Sequence, residues 1–143
     1  MRSVDPDSQT LKQFRNQRQS AKPIVMLNLL RYRERAAYPD GFDAEPCSGR
    51  EAYQRYGAVA GGLVADAGGR PVWMGTISGA FIAPDAEAWD DAILVYYPSR
   101  QHFLDMYESA DYQAAKPHRT AALEDSRLID STALFGPGSA VPS

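Results

Sequence analysis

The apolar positions fall into runs whose period changes along the chain, and each change marks an element. Pro23 to Leu30 (PIVMLNLL) is apolar on both alternating faces, with Ile24, Met26, Asn28 and Leu30 on one and Val25, Leu27 and Leu29 on the other. A central strand covered on both sides reads this way. Ser48-Gly49-Arg50-Glu51 has capping-box spacing and starts a helix. Tyr53, Tyr56, Ala60, Leu63, Val64 and Ala67 then recur at intervals of three and four down to Gly68-Gly69. Gly57, Gly61 and Gly62 weaken that helix, which suggests that its backbone approaches something closely. Pro71 to Ile82 predicts a second strand, Val72, Met74 and Thr76 facing one way and Trp73, Gly75 and Phe81 the other. Trp89 to Tyr97 predicts a third, stopped by Pro98, and Ser99 is placed to cap a helix carrying Phe103, Leu104, Met106 and Tyr107. A further helical turn from Ser109-Ala110-Asp111 should stop near Lys116, because Pro117 disfavours helix in the residue before it. Leu123 to Leu134 reads as a fourth strand with the weak alternation of an edge or dimer-facing position.

Three segments lie outside this pattern. Asp5, Pro6 and Asp7 read as a cap, a first helical position and a first-turn acid, opening a short helix through Leu11 and Phe14 whose other positions are polar. Residues 1–22 are thus an N-terminal helical arm, an appendage or a partner contact. Arg31 to Cys47 is a long loop with a turn of helix around Glu34 to Ala37, and residues 136–143 form a flexible tail. The body, residues 23–135, runs strand, helix, strand, strand, helix, strand. That order is an α+β, ferredoxin-like split βαβ unit (βαββαβ): a four-stranded antiparallel sheet with its helices on one face. Because the first and third strands are apolar on both faces and no further large element exists, the cover for the other face is expected to be a second copy, making a homodimer.

Composition narrows the partners. One domain accommodates 143 residues, and 15 Lys and Arg against 18 Asp and Glu leave a net charge of −3, with no field to attract nucleic acid. The single Cys47 can form no internal disulfide, the N-terminus lacks the apolar run of a secretory signal, and no segment reaches the roughly 20 apolar residues of a membrane span. A cytoplasmic protein without a membrane anchor is expected, its cysteine incidental and exposed.

Five stretches carry a resemblance: MLNLLRYRERAAY (Met26 to Tyr38), SGREAYQRYG (Ser48 to Gly57), Trp89-Asp90, YPSRQHFLDM (Tyr97 to Met106) and DYQAAKPHR (Asp111 to Arg119). Together they resemble domain-of-unknown-function family 1330 over roughly Pro23 to Leu134. The resemblance implies membership of the dimeric α/β-barrel superfamily, in which two ferredoxin-like chains join their sheets. It also implies a pocket between sheet and helices. Related folds there include cofactor-free monooxygenases, muconolactone-isomerase-like proteins and haem-degrading enzymes, and fold alone does not choose among them.

Candidate chemistry concentrates on aromatic, amide and basic groups. Tyr53 and Tyr56 share a helix stripe expected to face Asn28, Trp73 and Tyr96 or Tyr97, either as an apolar chamber for a small aromatic molecule or as tyrosines bridging core and solvent. Asn28, an amide inside an apolar strand, needs partners from a ligand or from the protein. His102 could serve as a general base held neutral at a helix start, and His118 follows Pro117; both also fit surface positions. Arg100 and Arg119 could clamp a carboxylate or pair with Asp90, Asp105 or Asp111. Asp90 and Asp91 read as turn residues more readily than as a catalytic dyad. No metal or other cofactor is called for, since two distant histidines and one cysteine promise no ligand set. The expectation is a cofactor-independent enzyme working by acid–base chemistry on a small aromatic or apolar substrate, isomerase-, cyclase- or monooxygenase-like. The alternative is a non-catalytic, stress-associated or small-molecule-binding dimer.

Overall fold

A computed structural model describes residues 2–16, 22–136 and 139. The capping box forms as read: the Glu51 N–H donates to Ser48 Oγ at 3.1 Å and the Ser48 N–H to Glu51 Oε1 at 3.0 Å. It opens helix α2 (Gly49–Asp66), which follows helix α1 (Ser8–Asn16) and strand β1 (Ile24–Tyr32). Strands β2 (Arg70–Thr76) and β3 (Asp91–Tyr97), helices α3 (Arg100–Glu108) and α4 (Ala110–Ala122) and strand β4 (Leu123–Ser131) complete the chain. The sheet order is β2-β3-β1-β4 with every pair antiparallel. This is the ferredoxin-like topology, with β1 and β3 central and β4 at an edge.

Side chains divide between the two faces by strand register. Ile24 and Met26 of β1 and Tyr97 of β3 pack with Met106, Tyr107 and Tyr112, while Leu30 packs with Ala52 and Ala122, so α2, α3 and α4 cover one face. The pleat sends Leu27, Leu29, Leu94, Tyr96, Trp73 and Ile129 to the opposite face. No described helix packs there. Among the described residues no helix is long and apolar enough to cross a membrane.

Several expected boundaries move, each for a visible reason. Helix α1 begins at Ser8, with Asp7 rather than Asp5 accepting the Thr10 N–H at 2.7 Å. The loop from Arg33 to Cys47 contains no helical turn at Glu34 to Ala37; instead the Ala36 N–H donates to the Cys47 carbonyl (2.9 Å) and the Ala37 N–H to that of Ala121 (2.9 Å). Cys47 is buried beneath it, not exposed. Strand β2 stops at Thr76, not Ile82: the Ile77 N–H still donates to the Asp90 carbonyl at 2.8 Å, but Asp90 gives its own N–H to the Leu30 carbonyl at 2.7 Å, the ladder ends there, and Phe81 and Ile82 lie exposed. For the same reason β3 starts at Asp91 rather than Trp89. Strand β4 ends at Ser131, the last residue opposite β1, and not at Leu134. Helix α4 runs through Pro117 to Ala122 instead of stopping near Lys116. A proline inside a helix costs about 3 kcal/mol, the lost hydrogen bond and the clash of its ring together; burial of Ala115, Ala121 and Ala122, and bonds from Ala37 and Arg33 to the last carbonyls, offset it.

The glycines of α2 reverse one expectation. Gly57, Gly61 and Gly62 have nothing within 4 Å of the position a Cβ would take. Gly49 is the crowded one: a Cβ would lie 2.2 Å from the Arg33 carbonyl oxygen and 2.7 Å from that of Ala122, where β1, α2 and α4 converge.

Candidate functional site

Because α4 continues past Pro117, Tyr112 and Arg119 share its inner face seven residues apart, opposite Tyr53 and Tyr56 on α2. The Tyr56 and Tyr112 hydroxyls are 2.9 Å apart, and their rings meet edge to face at 6.0 Å. Arg119 is buried, 6% exposed. Its Nη1 donates to the Val4 carbonyl at 2.7 Å, while Nη2 finds no hydrogen-bond partner. No acid forms an ion pair with it among the described residues, and Asp5, whose charge reaches it, is held by the Thr120 hydroxyl at 3.1 and 3.2 Å.

Electrostatics set the protonation of this group. Burial opposes the Arg119 charge, but its pKa is nonetheless held above an already strongly basic ordinary value, so the guanidinium stays charged at neutral pH. Burial pushes the phenols of Tyr53, Tyr56 and Tyr112 above their ordinary range, with Arg119 only partly opposing. All three are therefore hydroxyl donors near neutral pH, not bases. The arrangement offers one fixed cation and several O–H donors in a region shielded from water, a set suited to a carboxylate or to oxyanion charge.

A cavity of ≈ 200 Å³ opens beside it, with Met26 on the sheet side, Leu104, Tyr112 and Arg119 from α3 and α4, and Val4, Leu11 and Phe14 from the N-terminal segment. The arm thus folds back onto its own chain. Phe14 meets Phe103 edge to face at 5.8 Å, Arg15 pairs with Glu108 at 2.8 Å, and the Ser126 N–H donates to the Ser3 carbonyl at 2.7 Å. On the other side of Tyr53 a second crevice of ≈ 360 Å³ lies between α2 and the β2–β3 edge. There the Tyr32 hydroxyl donates to Asp91 Oδ2 at 2.7 Å, and Arg50, stacked 4.6 Å from the Tyr32 ring centre, reaches the same oxygen at 3.3 Å.

The remaining candidates scatter. Asn28 is buried, its Nδ2 donating at 3.3 and 3.4 Å to the carbonyls of Ile93 and Met26. Tyr97 lies with the helices, but Trp73 and Tyr96 point to the opposite face and do not meet Tyr53 or Tyr56, as the register pairing Trp73 with Leu94 requires. Arg100 binds Asp130, not Asp90, Asp105 or Asp111, with its guanidinium 4.4 Å from the centre of the Phe14 ring. His102 sits on the exposed first turn of α3, its Nδ1 2.6 Å from Ser99 Oγ, and lines neither cavity. His118 faces the Arg33 to Cys47 loop, its Nδ1 2.7 Å from the Tyr38 hydroxyl, and burial holds its pKa below the ordinary range. Asp90 caps β1 by accepting the Tyr32 N–H at 2.8 Å. Among the described residues no group of three or more His, Cys, Asp or Glu could hold a metal ion. Tyr112, Val4, Tyr32 and Asp91 are the site-lining residues that sequence reasoning passed over or set aside; the stripe Tyr112, Ala115, Arg119, Ala122 was the available signal for the first.

Solved structures agree with this architecture. The crystal structure of a protein of unknown function from Rhodopseudomonas palustris is 40% identical, with a TM-score of 0.86 over 95% of this chain and 100% of that one. The same protein in methylated form gives 41% identity and 0.85 over 96% of this chain and 98% of that one. A hydroxynitrile lyase from Passiflora edulis, at 15% identity and a TM-score of 0.53 over 82% of this chain and 100% of that one, shares the fold alone. None of the curated proteins matches. The sequence pattern of one family, Domain of unknown function (DUF1330), spans residues 47–131, from the end of the long loop through β4. With the tyrosine–arginine cluster, the ferredoxin-like sheet and that match in hand, the chain belongs to the DUF1330 family.

Proposed function

We propose that this protein is a homodimer, paired through the helix-free face of its sheet, that binds a small aromatic or apolar carboxylic acid between sheet and helices. Arg119 receives the carboxylate and Tyr112, which lines the cavity, donates to it, with Tyr56 fixing the Tyr112 hydroxyl and Tyr53 facing the guanidinium. The observation that carries the reading is Arg119 itself: a buried guanidinium without an acid against it and with one Nη unpartnered. Leaving such a donor unmet costs roughly 1–3 kcal/mol or more, which an anionic ligand would recover. The cavity is smaller than the roughly 300–1,000 Å³ that holds drug-sized ligands, so the acid has one ring or a short chain. Titration calorimetry with benzoate and with neutral benzamide tests this. Benzoate should bind at least about tenfold more tightly, and Arg119→Lys should narrow the gap; equal affinities would end the reading.

A second reading, turnover by cofactor-independent acid–base chemistry, draws on the same donors, which would also stabilise an enolate or other oxyanion. Asp91, which accepts from the Tyr32 hydroxyl and lines the crevice beside Tyr53, takes the role of base in this reading in place of the surface-placed His102. If Tyr53→Phe leaves benzoate binding intact but removes conversion of any substrate found by mass-spectrometric screening, the enzyme reading stands; ligand retention without conversion leaves the binding protein.

A further inference from the structure

The bond between Arg119 and Val4 joins the candidate site to the N-terminal segment. Val4 gives Arg119 a neutral main-chain carbonyl at 2.7 Å, yet a guanidinium fork is built for two acceptors on one anion, and its Nη2 is left without any. Arg119 is 6% exposed and Val4 occupies its Nη1, so a solute in the cavity cannot take both Nη groups while the arm is down. Three further interactions hold the arm: the Ser3 pairing with Ser126 and the Thr120 bond to Asp5 at the cavity wall, and the exposed Arg15–Glu108 pair away from it. Resting on the carboxylate reading above, we infer that the Val4 carbonyl stands in for the ligand. A monocarboxylic acid enters by lifting residues 2–7, and its carboxylate replaces Val4 on Arg119.

Competition of this kind has a signature that a purely structural arm lacks. When a closed state excludes the ligand, the apparent dissociation constant is the intrinsic one divided by the open fraction. Loosening the arm then tightens binding. Thr120→Val with Glu108→Gln removes two exposed arm contacts and replaces no residue that lines the cavity, Asp5 losing only its Thr120 partner. Benzoate should bind this full-length variant about three- to tenfold more tightly than the wild type and associate faster, since exposed contacts of this sort shift an equilibrium only severalfold each. Hydrogen exchange gives an independent readout: the Ser126 amide, bonded to the Ser3 carbonyl, should lose protection when benzoate is added, while β1 amides do not. Unchanged or weaker benzoate binding by the variant, with Ser126 protection unaltered, would overturn the displacement while leaving Arg119 as a carboxylate site. Absence of benzoate binding to both proteins at millimolar concentration would overturn the carboxylate site and the displacement with it.

Discussion

The hydroxyl groups of Tyr56 and Tyr112 meet at 2.9 Å across the interface of α2 and α4, each the other's hydrogen-bond partner in a region shielded from water. Removing one hydroxyl strands its partner, whereas removing both leaves two hydrophobic rings of nearly unchanged shape. Tyr56→Phe and Tyr112→Phe should therefore each destabilise the protein by about 1–3 kcal/mol, and the double variant by less than their sum. Urea denaturation of the four proteins of the cycle checks it; strict additivity would show that the pair is not coupled.

Glycines in α2 should respond with opposite signs. Gly49→Ala places a methyl 2.2 Å from the Arg33 carbonyl oxygen, against backbone that cannot swing aside, and should cost at least about 2–3 kcal/mol. Gly57→Ala, Gly61→Ala and Gly62→Ala meet nothing within 4 Å and should each stabilise the helix by about 0.5–1 kcal/mol. Thermal unfolding followed by circular dichroism reads both directions.

What was legible in the amino-acid sequence was local. Ser48, Glu51 and Ser99 announce helix starts because capping chemistry involves residues only three apart, and the doubly apolar β1 announces a central strand. Features set by distant partners were not. Pro117 is locally a helix breaker, and only the packing of Ala121 and Ala122 beneath the long loop carries α4 past it. Ending that helix at Lys116 separated Tyr112 from Arg119 and hid half of the cluster. Trp73 and Tyr96 read as readily on the tyrosine face as on the bare one, because nothing within β2 or β3 says which side of the pleat the helices choose. The bond from Arg119 to Val4 spans 115 positions, beyond any spacing rule.

Acid should release the start of the arm. Burial would raise the Asp125 carboxyl, but the N–H groups of Ser3 and Ser126 and the Arg127 guanidinium outweigh it and hold the group at about 2, below the ordinary 3.8. A carboxyl with its folded-state pKa depressed stabilises the fold fully above the unfolded value and loses that contribution as pH falls through the folded value. Stability should thus drop between about pH 4 and pH 2, together with protection of the Ser3 and Ser126 amides. Asp125→Asn should flatten this limb of the stability profile; an unchanged limb would assign the acid transition elsewhere.

The proposed dimer makes the most demanding prediction, because it concerns a sheet face on which no described helix packs. Trp73 and Ile129 are each 52% exposed there, flanking Leu27, Leu29 and Leu94 from the central strands. A contiguous apolar patch of this kind on a sheet that is otherwise packed on one side is the signature of an interface. Trp73→Arg and Ile129→Asp alter side chains already half exposed, so the protomer's own fold should lose little, whereas a charge buried by the pairing costs several kcal/mol. Sedimentation velocity at micromolar concentration should show twice the 15.7 kDa protomer for the natural sequence and the single protomer for the double variant, with circular dichroism unchanged. A natural chain that sediments as one protomer would show instead that the face is tolerated bare, and the joined-sheet architecture would fall.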